Sequence, residues 1–188
     1  MRRPREFRTQ LRAALRAAEG ADLSILLPMV THAGDVLAAR AHLDAVKEEL
    51  REDGVPFNPE VKLGAMIEIP SAALNVGRIL EGVDFVSLGT NDLLQYLTAS
   101  DRDNPEVAAY QDLEHSGLGH LLEVVMSQAR ALGREEDVRV CGELASDPEG
   151  VVLLARAGVR SMSIAPGSAV LVRSTLAGLS LKEEGAGA

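Results

Sequence analysis

The chain has 188 residues, 46% of them hydrophobic and 25% charged, with a formal net charge of -9; that is enough for one domain with a sizeable core. The acidic balance, with no basic stripe interleaved with aromatics, argues against a nucleic-acid binder, and no apolar run approaches the ~18 residues of a membrane span. The single cysteine cannot form an internal disulfide, and the basic start MRRPREFR lacks an apolar stretch and a cleavage signal, so a reducing, cytoplasmic setting is expected.

Residues 5–18 place Phe7, Leu11 and Leu15 on one helical face, with Gly20 positioned to end the helix. LSILLPMV (23–30) reads as a short buried strand closed by Pro28. Residues 33–53 carry Val36, Leu43, Val46 and Leu50 along one stripe, before Gly54, Pro56 and Pro59 turn the chain. VKLGAMIEI (61–69) predicts a second strand, and residues 71–80 a helix capped by Ser71 just beyond Pro70. VDFVSL (83–88) is a third strand, residues 118–132 an amphipathic helix, and VRVCGEL (138–144) a fourth strand. A helix over 148–157 starts behind Asp147, and RSMSI (160–164) is a last short strand. The closing KEEGAGA predicts a frayed tail over 180–188, leaving 1–179 as the domain.

Apolar strands alternating with helices mean a parallel sheet, either open and doubly wound or part of a (β/α)8 barrel. Neither Gly-x-Gly-x-x-Gly nor Gly-x-x-x-x-Gly-Lys follows any strand, which weakens the open nucleotide-binding reading. Polar residues obey one rule instead. Glu68 follows GAMI, Asn91 and Asp92 follow FVSLGT, and Cys141 and Glu143 follow VRV, all at carboxyl ends of strands, which share one face in parallel α/β folds. Gly89 is expected to supply the sharp turn that aims Asn91 and Asp92 into that face. Taken singly, each residue has an ordinary explanation: a solvated Glu68, turn chemistry at Asn91 and Asp92, an Arg102 paired with Asp101 or Asp103, a core Cys141.

Taken together they suit one chemistry. Glu68 and Asp92 match the carboxylate pair that holds a hard divalent cation, Mg2+ or alternatively Mn2+, alongside phosphate oxygens. Arg102 offers forked donors to a phosphate and Asn91 an amide hydrogen. A free thiol is mostly protonated at neutral pH, so Cys141 could give a proton to an enolate. A phosphorylated small acid with enol character would use all of them.

GAMIEIPSAAL, FVSLGTNDLLQYLTASDR and CGELASDP resemble, in order and spacing, the C-terminal phosphoenolpyruvate-binding domain of Enzyme I of the bacterial sugar phosphotransferase system. Related barrels occur in pyruvate phosphate dikinase and phosphoenolpyruvate synthase. The resemblance implies an incomplete TIM (β/α)8 barrel comprising about the last five βα units. It makes Glu68 and Asp92 the magnesium ligands, Asn91 and Arg102 the phosphoryl-holding pair, and Cys141 the acid that protonates enolpyruvate to pyruvate. It also implies three upstream strands and two further phosphate-binding arginines that this sequence lacks, and a phosphohistidine domain. None of His32, His42, His115 or His120 has the phosphohistidine setting. His32 is expected to be exposed or helix-capping, and His42 partly solvated inside its helix.

The expected function is therefore the phosphoenolpyruvate-binding part of a Mg-dependent phosphotransferase, inactive as this chain alone. The alternatives are a non-catalytic ligand-binding or dimerisation module, or a fragment of the dikinase or synthase. Expected partners are phosphoenolpyruvate and pyruvate, a phosphohistidine domain or the missing barrel half in trans, and further copies of the chain, since open strand edges favour association.

Overall fold

A computed structural model describes residues 3–179; the tail expected over 180–188 lies outside the described residues. Helix α1 (Pro4–Ala17) opens on a proline, whose missing N–H has no helical partner at that position anyway. Its buried Leu11 and Leu15 pack toward α2 (Ala33–Glu52). There Val36, Ala39, Leu43, Val46 and Leu50 recur at steps of three and four residues and are all buried. Arg8 with Glu49, and Arg12 with Asp53 at 2.7 Å, join the two helices along their wetter margin.

Strands β1 (Ser24–Leu27), β2 (Lys62–Ile67), β3 (Phe85–Gly89), β4 (Val138–Cys141) and β5 (Ser161–Met162) form one sheet, parallel throughout and ordered as in the chain. Between and after them run α3 (Pro70–Leu74), α4 (Val76–Leu80), α5 (Thr90–Thr98), α6 (Leu118–Ala131), α7 (Pro148–Ala157) and α8 (Ala169–Ala177). One face of the sheet presents Leu63, Ala65, Ile67, Val86, Leu88, Val138 and Val140, which merge with the helices into a single apolar core. Alternation puts Gly64, Met66, Phe85, Ser87, Arg139 and Cys141 on the other face, where the Arg139 guanidinium lies 4.2 Å from the Phe85 ring centroid. β1 and β5 are the two edges. The α/β class expected from the sequence holds.

Several boundaries differ from expectation for visible reasons. The predicted helix over 71–80 is two short helices broken at Asn75 (φ -123°, ψ 25°). Gln128 of α6 fills the break, its Oε1 accepting from the Gly77 N–H at 3.0 Å and its Nε2 donating to the Leu74 carbonyl at 3.1 Å. Ser71 does not cap; Ile69 is the N-cap residue, with Pro70 in the first turn. The fourth strand stops at Cys141 rather than 144, because Gly142 takes φ +111° and a 3-10 turn over Glu143–Ser146 follows. Helix α5 begins directly at the end of β3, where the sequence reading saw only a turn.

Behind the site edge, the loop after α6 is fastened by one side chain. Arg134 donates from Nη1 to the carbonyls of Leu80 and of Val83 (3.0 Å), from Nη2 to that of Asp84 (2.8 Å), and from Nε to the Asp137 carboxylate (2.6 Å). It thus holds the turn that launches β3. Replacing Arg134 by Ala is expected to lower the free energy of unfolding by about 2–3 kcal/mol, since several charge-assisted bonds are lost together. Arg134→Lys should recover little of it, because one ammonium cannot span that fork. Urea unfolding of the three proteins checks both statements.

Candidate functional site

Glu68 stands just past the end of β2 and is only 7% exposed. Its Oε1 accepts the N–H of Met29 at 2.6 Å, from the loop after β1. Met29 holds φ +53°, a left-handed backbone uncommon for a non-glycine residue. The other carboxylate oxygen lies toward Gly89: a Cβ built there would sit 3.0 Å from the Glu68 Cβ, 3.1 Å from Oε2 and 3.2 Å from the Met66 Sδ. Gly89 itself has φ -85°, which any residue adopts. The expected turn-making role is therefore corrected: glycine leaves room for the Glu68 side chain across the end of β3, and a Cβ there would press its neighbours back by a few tenths of an ångström.

Because α5 starts at Thr90, Asn91 and Asp92 both fall in its first turn, where negative charge is favoured by the helix dipole. Asp92 Oδ1 accepts from Arg102 Nη1 at 3.0 Å, with the two side chains 33% and 44% exposed. Arg102 thus pairs neither with Asp101 nor with Asp103, the partners its sequence neighbourhood suggests. Asn91 Oδ1 accepts the Glu143 N–H at 2.9 Å, which leaves its amide hydrogens free of any partner among the described residues. Thr90 Oγ donates to the Cys141 carbonyl at 3.0 Å. The start of α5 is in this way laced to the end of β4. Gly142 makes the lacing close: a Cβ there would lie 2.4 Å from the Thr90 hydroxyl and 2.8 Å from the Asn91 carbonyl oxygen, and φ +111° disfavours side chains as well.

Cys141, the last residue of β4, is half-buried. Its sulfur accepts from the Ser87 hydroxyl at 3.3 Å, and its S–H faces the Leu88 carbonyl at 3.5 Å and the Met66 Sδ at 3.6 Å. Ser87 is buried, at 6% exposure, on a strand otherwise composed of Phe, Val, Leu and Gly. Sequence reading passed over Met29, Ser87, Thr90 and Gly142. A hydroxyl within an apolar strand, two positions ahead of the strand end, is the one signal that could have drawn attention to Ser87.

A cavity of about 260 Å³ lies beside this cluster, lined by Asn91, Leu94, Arg102, Leu113, Glu143 and Leu144 among others. Glu68, Asp92 and Cys141 are not in its wall; they stand at the carboxyl ends of β2 and β4 and in the first turn of α5. The histidines keep apart. His32 is the N-cap residue of α2, where Asp35 accepts its backbone N–H at 3.1 Å, and His42 meets the Phe7 ring edge-on at 5.9 Å. Asp112, Glu114 and His115 cluster in an exposed turn. The His115 side chain, and then the backbone N–H groups of His115 and Glu114, hold the Asp112 carboxyl below the usual range, so turn chemistry accounts for that cluster.

The sequence has relatives among known proteins. A multiphosphoryl transfer protein of Xanthomonas campestris is 40% identical over 182 residues, covering 96% of this chain and 21% of that protein. A phosphoenolpyruvate-protein phosphotransferase of Cupriavidus necator is 39% identical over 173 residues, 92% of this chain and 29% of that protein. The chain thus spans well under a third of the length of these relatives. Among solved structures, a citrate lyase of Burkholderia xenovorans superposes with a TM-score of 0.66 at 20% identity, covering 94% of this chain and 55% of that one. That likeness supports the reading of the five βα units as an incomplete barrel. The family described as PEP-utilising enzyme, PEP-binding domain, matches residues 1–181, and with that match over nearly its whole length the chain belongs to this family.

Proposed function

We propose that this chain is the phosphoenolpyruvate-binding segment of a phosphoenolpyruvate-protein phosphotransferase, with Glu68 and Asp92 as ligands of a divalent cation, Mg2+ or Mn2+. Asn91 and Arg102 hold the phosphoryl group, and Cys141 is the proton donor. The observation that carries the reading is the state of the Glu68 carboxylate. The side chain is largely covered, one oxygen is fixed by the Met29 amide, and the other takes no hydrogen bond among the described residues and stays accessible. A carboxylate oxygen held in place yet open at the strand ends is available to a hard cation, and a pair of oxygens from Glu68 and Asp92 suits such an ion.

Within this reading each group has one task. Asn91, its carbonyl oxygen already engaged by Glu143, is turned so that only its amide hydrogens remain to meet a phosphate oxygen. Arg102 uses one nitrogen on Asp92 and keeps the rest of its fork for the same phosphate. A bound cation would supply positive charge that offsets the phosphate and the carboxylates. Cys141, on the neighbouring strand end, would deliver its proton to the methylene carbon of enolpyruvate after the phosphoryl group has left, and this is general acid catalysis. The phosphoryl acceptor would be a histidine on another domain, and the free edges of β1 and β5 would take the strands that close the barrel.

Three outcomes are expected. Calorimetry should register weak Mn2+ or Mg2+ binding that strengthens when phosphoenolpyruvate is present; joint replacement of Glu68 and Asp92 by Ala should weaken it at least ~10-fold, the loss of one or more charge-assisted contacts. Equal binding by that variant and the parent would remove both residues from the site. Gly89→Ala should also impair cation binding, because the added methyl pushes Glu68 aside, with only about 1–3 kcal/mol lost from stability. Finally, with a phosphohistidine domain and the barrel-closing strands supplied in trans, Cys141→Ser should keep cation-dependent ligand binding yet form pyruvate at least ~100-fold more slowly. Near-normal pyruvate release would return Cys141 to a purely structural place.

A further inference from the structure

We infer that Ser87 is a positioning residue for Cys141, its hydroxyl holding the sulfur in place and stabilising the negative charge left there when the thiol gives up its proton. The inference rests on the reading of Cys141 as the proton donor, and deepens it.

A buried hydroxyl in a sheet needs a hydrogen-bond partner, and most often finds a backbone carbonyl. Ser87 does not. Among the described residues its side chain bonds only the Cys141 sulfur, at 3.3 Å. Sulfur is a weak acceptor while it carries its proton, so this is a poor arrangement for stability alone. It becomes a good one once the sulfur is charged, because a hydroxyl donating to an anion makes a bond roughly twice as strong as a neutral one. An interaction that strengthens along the reaction is the kind that accelerates it.

The remaining contacts of the sulfur fit the same role. The Leu88 carbonyl at 3.5 Å and the Met66 sulfur at 3.6 Å are alternative acceptors for the S–H, so the thiol hydrogen can turn between them about the Cβ–Sγ bond. The Ser87 bond uses a lone pair of the sulfur instead and persists through that swing. β2 and β4 fix Ser87 from both sides, since Ser87 registers with Met66 on β2 and with Arg139 on β4. In the step itself the S–H bond breaks and its electron pair stays on sulfur. The carbon–carbon π pair of the enolate takes the proton at the methylene carbon, and the enolate oxygen closes to the ketone of pyruvate. Ser87 keeps its own proton throughout; water returns one to the sulfur afterwards.

Ionisable groups on the surrounding elements are Glu68 past β2, Asp92 with Arg102 on and after α5, Glu143 and Asp147 around the turn that follows β4, and Arg139 on β4. β3 and β5 carry none. None of these groups hydrogen-bonds the sulfur among the described residues, and all are unchanged by a substitution at Ser87, so they form a constant background.

The chain's one cysteine makes the test unambiguous. The rate of alkylation of the unmodified chain by iodoacetamide, followed by mass spectrometry across a range of pH, reads the charged sulfur at a single site. Ser87→Ala is expected to slow alkylation at neutral pH by about 10-fold, the lower end for a hydrogen bond to a charged group. The variant should reach the parent rate only at higher pH, and Ser87→Thr should restore the parent profile. A Ser87→Ala profile identical to the parent's overturns the inference. If circular dichroism finds Ser87→Ala unfolded, the isosteric pair Ser87→Thr and Ser87→Val makes the same comparison, with the hydroxyl as the only difference. No measurement here uses pyruvate or a cation. Should the reconstituted Cys141→Ser protein release pyruvate normally while alkylation behaves as stated, the hydroxyl–sulfur bond stands and only the proton-donor role falls.

Discussion

Parallel pairing in chain order brings the carboxyl ends of five strands together, and Glu68, Asn91, Asp92 and Cys141 owe their places to that pairing, while Arg102 reaches Asp92 from the segment after α5. Glu68 leaves β2 beside the loop that leaves β1, so a main-chain amide from one strand end meets a carboxylate from the next. Asn91 and Asp92 leave β3 as the first turn of α5, and the same turn binds the backbone of β4 through Thr90 and Asn91. Residues more than fifty positions apart in sequence thereby become neighbours. No loop of their own is needed to hold them, because the sheet and its helices fix both ends.

These strand ends are also where the chain accepts poor local geometry. Met29 takes a left-handed backbone without being glycine, Gly142 takes a backbone that side chains avoid, and Gly89 leaves little room for a Cβ. A largely covered Glu68 side chain with one hydrogen-bond donor and a buried hydroxyl on a sulfur add to this. Such features each cost stability, and these stand at or beside the carboxyl ends of the strands. The opposite side of the sheet follows ordinary rules: its aliphatic side chains are fully covered by helices, and Arg134 and Gln128 satisfy the carbonyls and amides that the short helices leave open. One layer supplies the stability, and the strand ends above it carry the strain.

How much of this could be read in advance depended on how local the cause was. The α/β class, the strand positions and the gathering of Glu68, Asn91, Asp92 and Cys141 at strand ends follow from apolar runs and where they stop, which neighbouring residues reveal. The break at Asn75 does not, because the group that fills it, Gln128, lies more than fifty residues downstream. Arg102 sits between two aspartates in sequence yet bonds a third, since the segment after α5 folds back over the helix start. Gly89 was legible as important and misread in its reason: a glycine after a strand suggests a turn, whereas the packing shows a side chain laid across it. Met29 was silent, and Ser87 was marked only as a hydroxyl in an apolar run, because the groups they bond leave neighbouring strands. The roles of cation ligand, phosphate holder and proton donor came from the resemblance of three long motifs, and geometry adds to them the oxygens and hydrogens left free.

The central claim is that the carboxyl ends of the strands form one site for a cation and a phosphorylated enol acid. A crystal of the chain grown with Mn2+ and phosphoenolpyruvate addresses it most directly, through the anomalous signal of the metal. The account predicts one strong peak bonded to carboxylate oxygens of both Glu68 and Asp92, with the phosphate against Asn91 and Arg102. A peak confined to the exposed turn of Asp112, Glu114 and His115, or phosphoenolpyruvate bound without contact to the strand ends, would contradict it.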